Sequence, residues 1–129
     1  MFESISKQLN LAGIQRHIFL CADQTEAKCC QKDEGLRSWD YLKKRLKELG
    51  LATENAKIFR TKANCLRVCL QGPIAVVYPE AIWYHSCNPE NIERIIQEHL
   101  IQGRPVSDLL IADGKSFGDV RDNPLPTDR

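Results

Sequence analysis

Two stretches with a helical spacing of apolar residues, separated by short β-rich runs, restrict the folds open to this chain. Across residues 35–49, leucines and a tryptophan recur at intervals of three and four, which predicts a helix with one buried stripe. Gly50 is placed to end that helix in the left-handed conformation. A second helix is predicted over residues 88–103, because Asn88 can cap it and Pro89 suits its first turn. Each helix must bury its apolar face against another element.

Three β-rich segments provide the surface that these helices need. RHIFLC (16–21) and KIFRTKA (57–63) are predicted to be short strands. IAVVYPEAIWYHSC (74–87) divides at residues 79–81 into two apolar arms, which is the pattern of a β-hairpin. The order strand, helix, strand, hairpin, helix predicts an α/β sandwich, with a central sheet flanked by helices and with cysteine-bearing loops at one edge.

The two ends of the chain differ from this central region. Residues 1–15 form an N-terminal extension, in which four apolar residues could build a partner-docking helix: Phe2, Ile5, Leu9 and Leu11. Residues 112–129 are rich in Gly, Asp and Pro, and we expect a flexible, poorly packed tail there. The sequence therefore predicts a single domain over residues 16–111.

Composition excludes several classes of protein. The chain has 129 residues, of which 43% are hydrophobic and 27% charged, and it contains no run of eighteen apolar residues. Its first residues lack the basic and apolar regions of a secretory signal, so we expect a cytoplasmic protein.

Charge is distributed unevenly along the chain: residues 1–70 carry 13 basic and 8 acidic residues, and residues 71–129 carry 5 basic and 9 acidic residues. The sequence has no dense basic stripe with interleaved aromatic residues, so nucleic-acid binding is not predicted. The basic half could dock a protein partner, although a solvated surface is the more probable interpretation.

Six cysteines carry the clearest chemical signal: Cys21, Cys29, Cys30, Cys65, Cys69 and Cys87. In a reducing compartment they are not expected to form disulfides, which leaves metal binding, redox chemistry or burial. Cys65 and Cys69 are separated by three residues, whereas zinc ribbons and redox dithiols normally show Cys-x2-Cys. Four thiolates from two loops, Cys21 with Cys29 or Cys30 and Cys65 with Cys69, would suit an iron-sulfur cluster or a structural zinc ion. The wider spacing favours two irons over one zinc.

The stretch NCLRVCLQGPIAVVYPEAIWYHSCNPENIERIIQEHLIQGRPV resembles the corresponding part of the thioredoxin-like [2Fe-2S] ferredoxins. That family is typified by Cys-x3-Cys-x2-Gly-Pro, an apolar strand, Tyr-Pro and then Trp-Tyr. The stretch is also similar to the small cluster-bearing subunit of NADH dehydrogenases and hydrogenases. The resemblance covers about residues 16–111 and implies a thioredoxin-like sandwich with a central mixed sheet.

The resemblance also implies a ligand set and a role. Cys21, Cys65 and Cys69 match three of the four cluster ligands. The number of residues between the cysteine pair and the apolar stripe of the helix predicted over residues 35–49 favours Cys30 as the fourth ligand. Cys29 remains possible. The implied function is that of a [2Fe-2S] ferredoxin, a homodimeric one-electron carrier between redox protein partners with no catalytic activity of its own.

Three other functions remain alternatives: a cluster-bearing subunit of a larger oxidoreductase, a structural zinc protein, and a thiol-disulfide enzyme, which the missing Cys-x2-Cys disfavours. Cys87 is interpreted as a packing residue, since it ends a hairpin strand. His17, His85 and His99 share no metal-binding spacing.

Two positions depart from the family pattern. Asn64 stands where a glycine commonly precedes the third ligand. Glu80-Ala81 replaces an Asp-Gly turn, at a cost of about 1 kcal/mol if Ala81 adopts positive φ.

Overall fold

The computed structural model describes residues 2–22, 31–52, 56–68 and 70–112. Five strands form one sheet: β1 (Arg16–Cys21), β2 (Ile58–Ala63), β3 (Ala75–Tyr78), β4 (Ile82–Tyr84) and β5 (Leu110–Ala112). Three α-helices accompany it: α1 (Phe2–Leu9), α2 (Lys32–Glu48) and α3 (Pro89–Arg94). Helix α3 continues without a break into a π-helical segment, Ile95–Ile101, and short 3-10 turns occupy Leu11–Gly13 and Ser107–Leu109.

The sheet is mixed, as the family resemblance implies, with strand order β2-β1-β3-β4-β5. β1 and β2 run parallel, and their paired ends are Cys21 and Ala63. All the other pairs are antiparallel. β5 is an element that the sequence did not predict, and its last residue, Ala112, falls at the start of the segment expected to be a tail. The rest of that segment lies outside the described residues.

Both α2 and α3 pack on one face of the sheet. Their buried residues, such as Leu42 and Ile96, join a single core with the inward residues Ile18, Leu20 and Val77 of the strands. Side chains alternate along a strand, so the residues between these point to the opposite face. That second face carries half-buried or exposed aromatic side chains: His17, Phe19, Phe59, Tyr78 and Trp83.

The helix ends confirm the signals in the sequence. Asn88 caps α3, its side-chain Oδ1 accepting a hydrogen bond from the backbone N–H of Asn91 at 2.9 Å, with Pro89 in the first turn. Leu49 ends α2, and Gly50 follows with a φ of 71°. The hairpin turn places Ala81 at a φ of 59°, so the strain expected for this alanine is present.

A chain of polar side chains crosses the core between the sheet and α3. Arg16 Nε donates to Glu80 Oε1 at 2.8 Å, and Glu80 Oε1 lies 2.6 Å from His99 Nε2. His99 Nδ1 lies 2.8 Å from the Tyr84 hydroxyl, which accepts from the backbone N–H of Val106 at 3.1 Å. His99 and Tyr84 are fully buried. Since buried polar groups need partners, this chain fixes the hairpin against the helix.

Among the described residues, no helix combines the length and apolar character needed to cross a lipid bilayer.

Candidate metal centre

Cys21 ends β1 and is fully buried, in agreement with its predicted position at a strand end. Its sulfur accepts a hydrogen bond from the backbone N–H of Ile74 at 2.9 Å, and its own N–H donates to the Ile74 carbonyl at 2.9 Å. Ile74 directly follows Gly72-Pro73, so this reciprocal pair brings the Gly-Pro segment to the cysteine. An N–H directed at a sulfur favours the thiolate, which is the form that binds metal.

Cys65 lies at the same edge of the sheet. β1 and β2 are parallel neighbours, and Cys65 follows the end of β2 by two residues. Its side chain is exposed, and its sulfur accepts from the Arg67 backbone N–H at 3.2 Å. The parallel pairing therefore brings Cys21 and Cys65, which are distant in sequence, to neighbouring strand ends.

The other predicted ligands, Cys29, Cys30 and Cys69, lie outside the described residues. Within the described ranges, no group of three or more His, Cys, Asp or Glu side chains could hold a metal ion. The residue that follows Cys30 is described: Gln31 precedes α2 and lines a cavity of 440 Å³ together with Gly72 and Pro73. The start of α2 is thus next to the Gly-Pro segment, which directly precedes Ile74, the residue that contacts Cys21.

The loop around Cys65 contains backbone strain that the sequence did not signal. Arg67 has a φ of 70° and Gln71 a φ of 52°, although neither is a glycine. The left-handed conformation costs roughly 1–2 kcal/mol for an ordinary residue. Asn64, where a glycine was expected, is not among the described non-glycine residues with positive φ. The strain lies after Cys65 rather than before it.

Cys87 has a different environment from Cys21 and Cys65. It is fully buried, and its thiol donates to the His85 carbonyl at 3.6 Å. Burial, with a smaller contribution from the nearby Cys21 sulfur, raises the pKa of the Cys87 thiol far above its ordinary value. A protonated thiol in the core suits packing and not metal ligation.

The three histidines are also partnered by other groups. His17 Nε2 lies 2.7 Å from Thr61 Oγ1, His85 Nδ1 lies 2.8 Å from Ser86 Oγ, and His99 belongs to the buried chain. His99 falls within the helix predicted over residues 88–103, but this chain was not foreseen from the sequence. The alternation in β4, which turns Tyr84 inward, is the only sequence signal that pointed toward it.

The fold and the two placed cysteines define a class: an α/β domain whose mixed sheet presents thiol ligands from loops at one edge. No protein-family model matches the chain. A [2Fe-2S] ferredoxin from Clostridium pasteurianum is 30% identical over 101 residues, which cover 75% of this chain and 96% of that protein. The chain belongs to the thioredoxin-like [2Fe-2S] ferredoxin family.

Two further relatives come from Aquifex aeolicus. A [2Fe-2S] ferredoxin of strain VF5 is 41% identical over 58 residues, 45% of this chain; that match spans only about half, 52%, of the relative's length. A solved thioredoxin-like [2Fe-2S] ferredoxin from this organism superimposes with a TM-score of 0.61 at 27% identity, covering 79% of this chain and 94% of that structure. The mixed five-stranded sheet is therefore shared with a solved member of the family.

Proposed function

We propose that this chain is a one-electron carrier that binds one [2Fe-2S] cluster through Cys21, Cys30, Cys65 and Cys69, with Cys29 as the alternative to Cys30. One observation carries the proposal: a buried thiol at the end of β1 accepts a backbone N–H, and the neighbouring parallel strand leads directly to a second cysteine. The Cys-x3-Cys motif then supplies the third thiol from the same loop.

The described residues fit such a cluster. The N–H groups of Ile74 and Arg67 are directed at the sulfurs of Cys21 and Cys65, where they stabilise negative charge. Cys21 is shielded from water, whereas Cys65 is exposed, so one side of the site is protected and the other is accessible to a partner. When bound, a [2Fe-2S] cluster accepts and releases single electrons.

We assign the chain no reaction of its own, because an electron carrier needs no substrate-binding groups. We also propose a cytoplasmic location, where the reducing environment keeps cysteine thiols available as cluster ligands. Its donor and acceptor are redox proteins.

The exposed aromatic face of the sheet supports a homodimer. The rings of His17 and Phe19 stack with centroids 4.1 Å apart, and the Phe59 and Tyr78 rings pack edge-on against them. Tyr78 remains 43% exposed. A contiguous apolar patch of this kind commonly marks a protein contact, and a second copy of the same face would cover it.

The cluster is tested by an anaerobic visible spectrum together with iron and acid-labile sulfide assays. We expect two irons and two sulfides per chain and bands that bleach on reduction, the stoichiometry that the cofactor's name states. Separate Cys29→Ser and Cys30→Ser variants identify the fourth ligand, since only one of them should lose the colour. Cys87→Ser is the matched control and should retain it.

Other outcomes would select among the alternatives. A colourless protein with one zinc per chain contradicts the carrier and supports a structural site. Reduction of disulfide substrates without iron would support a thiol-disulfide enzyme. Stable copurification with flavin- or nicotinamide-binding subunits would instead identify a module of a larger oxidoreductase.

A further inference from the structure

A basic groove lies between α2 and the edge strand β2, apart from the cysteine loops. Four cations line it: Lys43, Lys44 and Lys47 of α2, and Arg60 of β2; Ala52 and the carboxylate of Asp40 complete its walls. Its volume is 520 Å³. Nothing in the proposed cluster site uses these residues, so the groove needs its own explanation.

The charges in the basic groove are poorly neutralised. Lys43 Nζ lies 3.7 Å from Asp40. Across the described ranges, no carboxylate forms an ion pair with Lys44, Lys47 or Arg60, and the buried Nε of Arg60 has no hydrogen-bond partner. Four cations thus face one carboxylate. An anionic partner would relieve their mutual repulsion.

Trp39 holds two of these cations in place. Lys43 Nζ lies 5.7 Å from the centre of the Trp39 ring, and Arg60 Cζ lies 5.8 Å from it. Cation–π contacts of this kind restrain long side chains that would otherwise sample many rotamers. The positive surface is therefore preorganised, which reduces the entropy lost when a partner binds.

We propose that the basic groove docks the acidic surface of a redox protein partner. This inference rests on the proposed electron-carrier function. Arg60 precedes Cys65 by five residues, so even fully extended chain separates them by at most about 17 Å. One side of a standard interface covers roughly 800 Å², a disc of about 16 Å radius. A partner docked over Arg60 therefore reaches close to the exposed cysteine loop.

The groove fits a protein surface better than a nucleic acid. Single-stranded nucleic acids bind along extended basic tracks with free aromatic faces for base stacking. Here the Trp39 ring already carries two cations, and Asp40 would repel a phosphate. A few clustered cations matched by carboxylates of a partner are sufficient for electrostatic steering of protein association.

The test uses the full, cluster-loaded chain, reduced with dithionite, and cytochrome b5 as an acidic one-electron acceptor. One electron leaves the reduced carrier and converts ferric haem to ferrous haem, so no proton is required. We expect the second-order rate constant to fall at least about 10-fold when ionic strength rises from about 10 mM to about 1 M. The Lys44→Glu/Lys47→Glu variant should lose a similar factor at low salt, and Arg60→Gln a smaller one.

Lys7→Glu/Arg104→Glu is the matched control. It changes the net charge by the same amount at exposed residues outside the groove. At about 0.1 M ionic strength, where the Debye length is about 10 Å, it should lose less than about 2-fold in rate, while the groove variant should lose more. The basic acceptor cytochrome c should show no loss with either variant. Equal losses in both double variants, absence of a salt effect, or tighter binding of a labelled oligonucleotide than of cytochrome b5 would each overturn the proposal.

A binding measurement separates this proposal from the electron-carrier function. Calorimetric titration with oxidised cytochrome b5 does not depend on electron transfer. If the chain carries no cluster but still binds cytochrome b5 through Lys44 and Lys47, the carrier function fails and the acidic docking surface stands. If electron transfer to cytochrome b5 occurs but groove variants bind and react as the wild type does, the docking surface fails and the carrier stands.

Discussion

Ala81 shows how a single backbone angle is held by its surroundings. It has no side chain that could hydrogen-bond locally to stabilise its φ of 59°. The flanking residues decide the conformation: Glu80 is fixed by Arg16 and His99, and Ile82 begins β4 in register with Val77. The strain at residue 81 is therefore imposed by contacts of its neighbours.

Ala81→Gly should stabilise the protein, because glycine adopts this conformation without the steric cost. The gain is about 0.5–1 kcal/mol, since part of the relieved strain is offset by the greater freedom of glycine in the unfolded chain. Thermal and urea unfolding of both proteins measure it. Ala12→Gly, at an exposed residue without positive φ, should lower stability instead; a loss at both sites would contradict the account.

The protonation state of His99 follows from its partners. Glu80 is an acceptor, so His99 Nε2 carries the proton, and Nδ1 accepts from the Tyr84 hydroxyl. Burial lowers the pKa of His99, although Glu80 opposes this, and burial raises the pKa of Tyr84 to about 12. Burial also acts against the charge of Glu80, but hydrogen bonds from Arg16 and His99 outweigh it and lower the pKa of that carboxyl. His99 is thus neutral between a phenol and a carboxylate.

Replacing His99 by Phe should lower the free energy of unfolding by about 1–3 kcal/mol, because the buried Tyr84 hydroxyl loses its acceptor. The folded-state pKa of His99 lies below its unfolded value of about 6.5, so its stability contribution is complete above that pH and declines as pH falls below it. Burial lowers the pKa of His17 as well, which adds a slope of the same sign. Urea unfolding at several pH values should therefore show a shallower decline below pH 6.5 in His99→Phe than in wild type. An unchanged dependence of the unfolding free energy on pH would show that His99 does not cause this decline.

At the scale of elements, α2 and α3 are joined by an ion pair as well as by apolar packing. Arg45 donates from Nε to Glu93 Oε1 at 2.7 Å and from Nη2 to Oε2 at 3.0 Å, a two-point contact between the helices. Tyr41 and Gln97 also donate to this carboxylate. These hydrogen bonds, with Arg45 first, lower the pKa of Glu93 to about 2 despite some opposing burial.

The Arg45–Glu93 pair should contribute stability above pH 4.5 that is lost as the pH falls from about 4.5 towards 2, because a carboxyl with a lowered folded-state pKa releases its proton more readily when folded. A double-mutant cycle with Arg45→Gln and Glu93→Gln should give a favourable coupling free energy near neutral pH, which the partial exposure of both groups keeps small. Below about pH 2 the coupling should vanish. A coupling that persists there would indicate packing and not charge.

The elements also show which features local sequence can predict. The apolar stripe of α2 and the Asn88 cap of α3 depend on residues only a few positions apart in the chain, so the sequence predicts them. The π-helical segment Ile95–Ile101 contains His99, which contacts Tyr84 of β4, and β5 is paired with β4. These features depend on contacts between distant segments, which periodicity does not encode.

In the candidate site, too, local sequence predicts some features, whereas others depend on contacts between distant segments. Cys21 was predicted at a strand end because an apolar run stops there. Its contact with Ile74 and its proximity to Cys65 follow from strand pairing, which the order of elements leaves open. The left-handed Arg67 and Gln71 carry no glycine or asparagine signal, so nothing in the local sequence marks their strain.

For the molecule as a whole, the aromatic face of the sheet opposite α2 and α3 predicts self-association. Tyr78→Lys places a charge in the centre of the aromatic face and should convert the proposed homodimer to a monomer, because two like charges would meet across the symmetric contact. Light scattering after size-exclusion chromatography measures the mass. Ile101→Lys, at an exposed residue of the π-helical segment on the opposite side of the sheet, is the matched control and should leave the dimer intact. A monomeric wild type would contradict the dimer.

The basic groove also has a practical consequence for handling the protein. A formal net charge of +1 suggests almost no retention on an ion exchanger at neutral pH. Resins, however, respond to the local concentration of charge, and the groove gathers four cations around one carboxylate. The protein should adsorb to a cation-exchange resin through this side, and because every molecule adsorbs in a similar orientation, it should elute as a narrow peak that the Lys44→Glu/Lys47→Glu variant would not show.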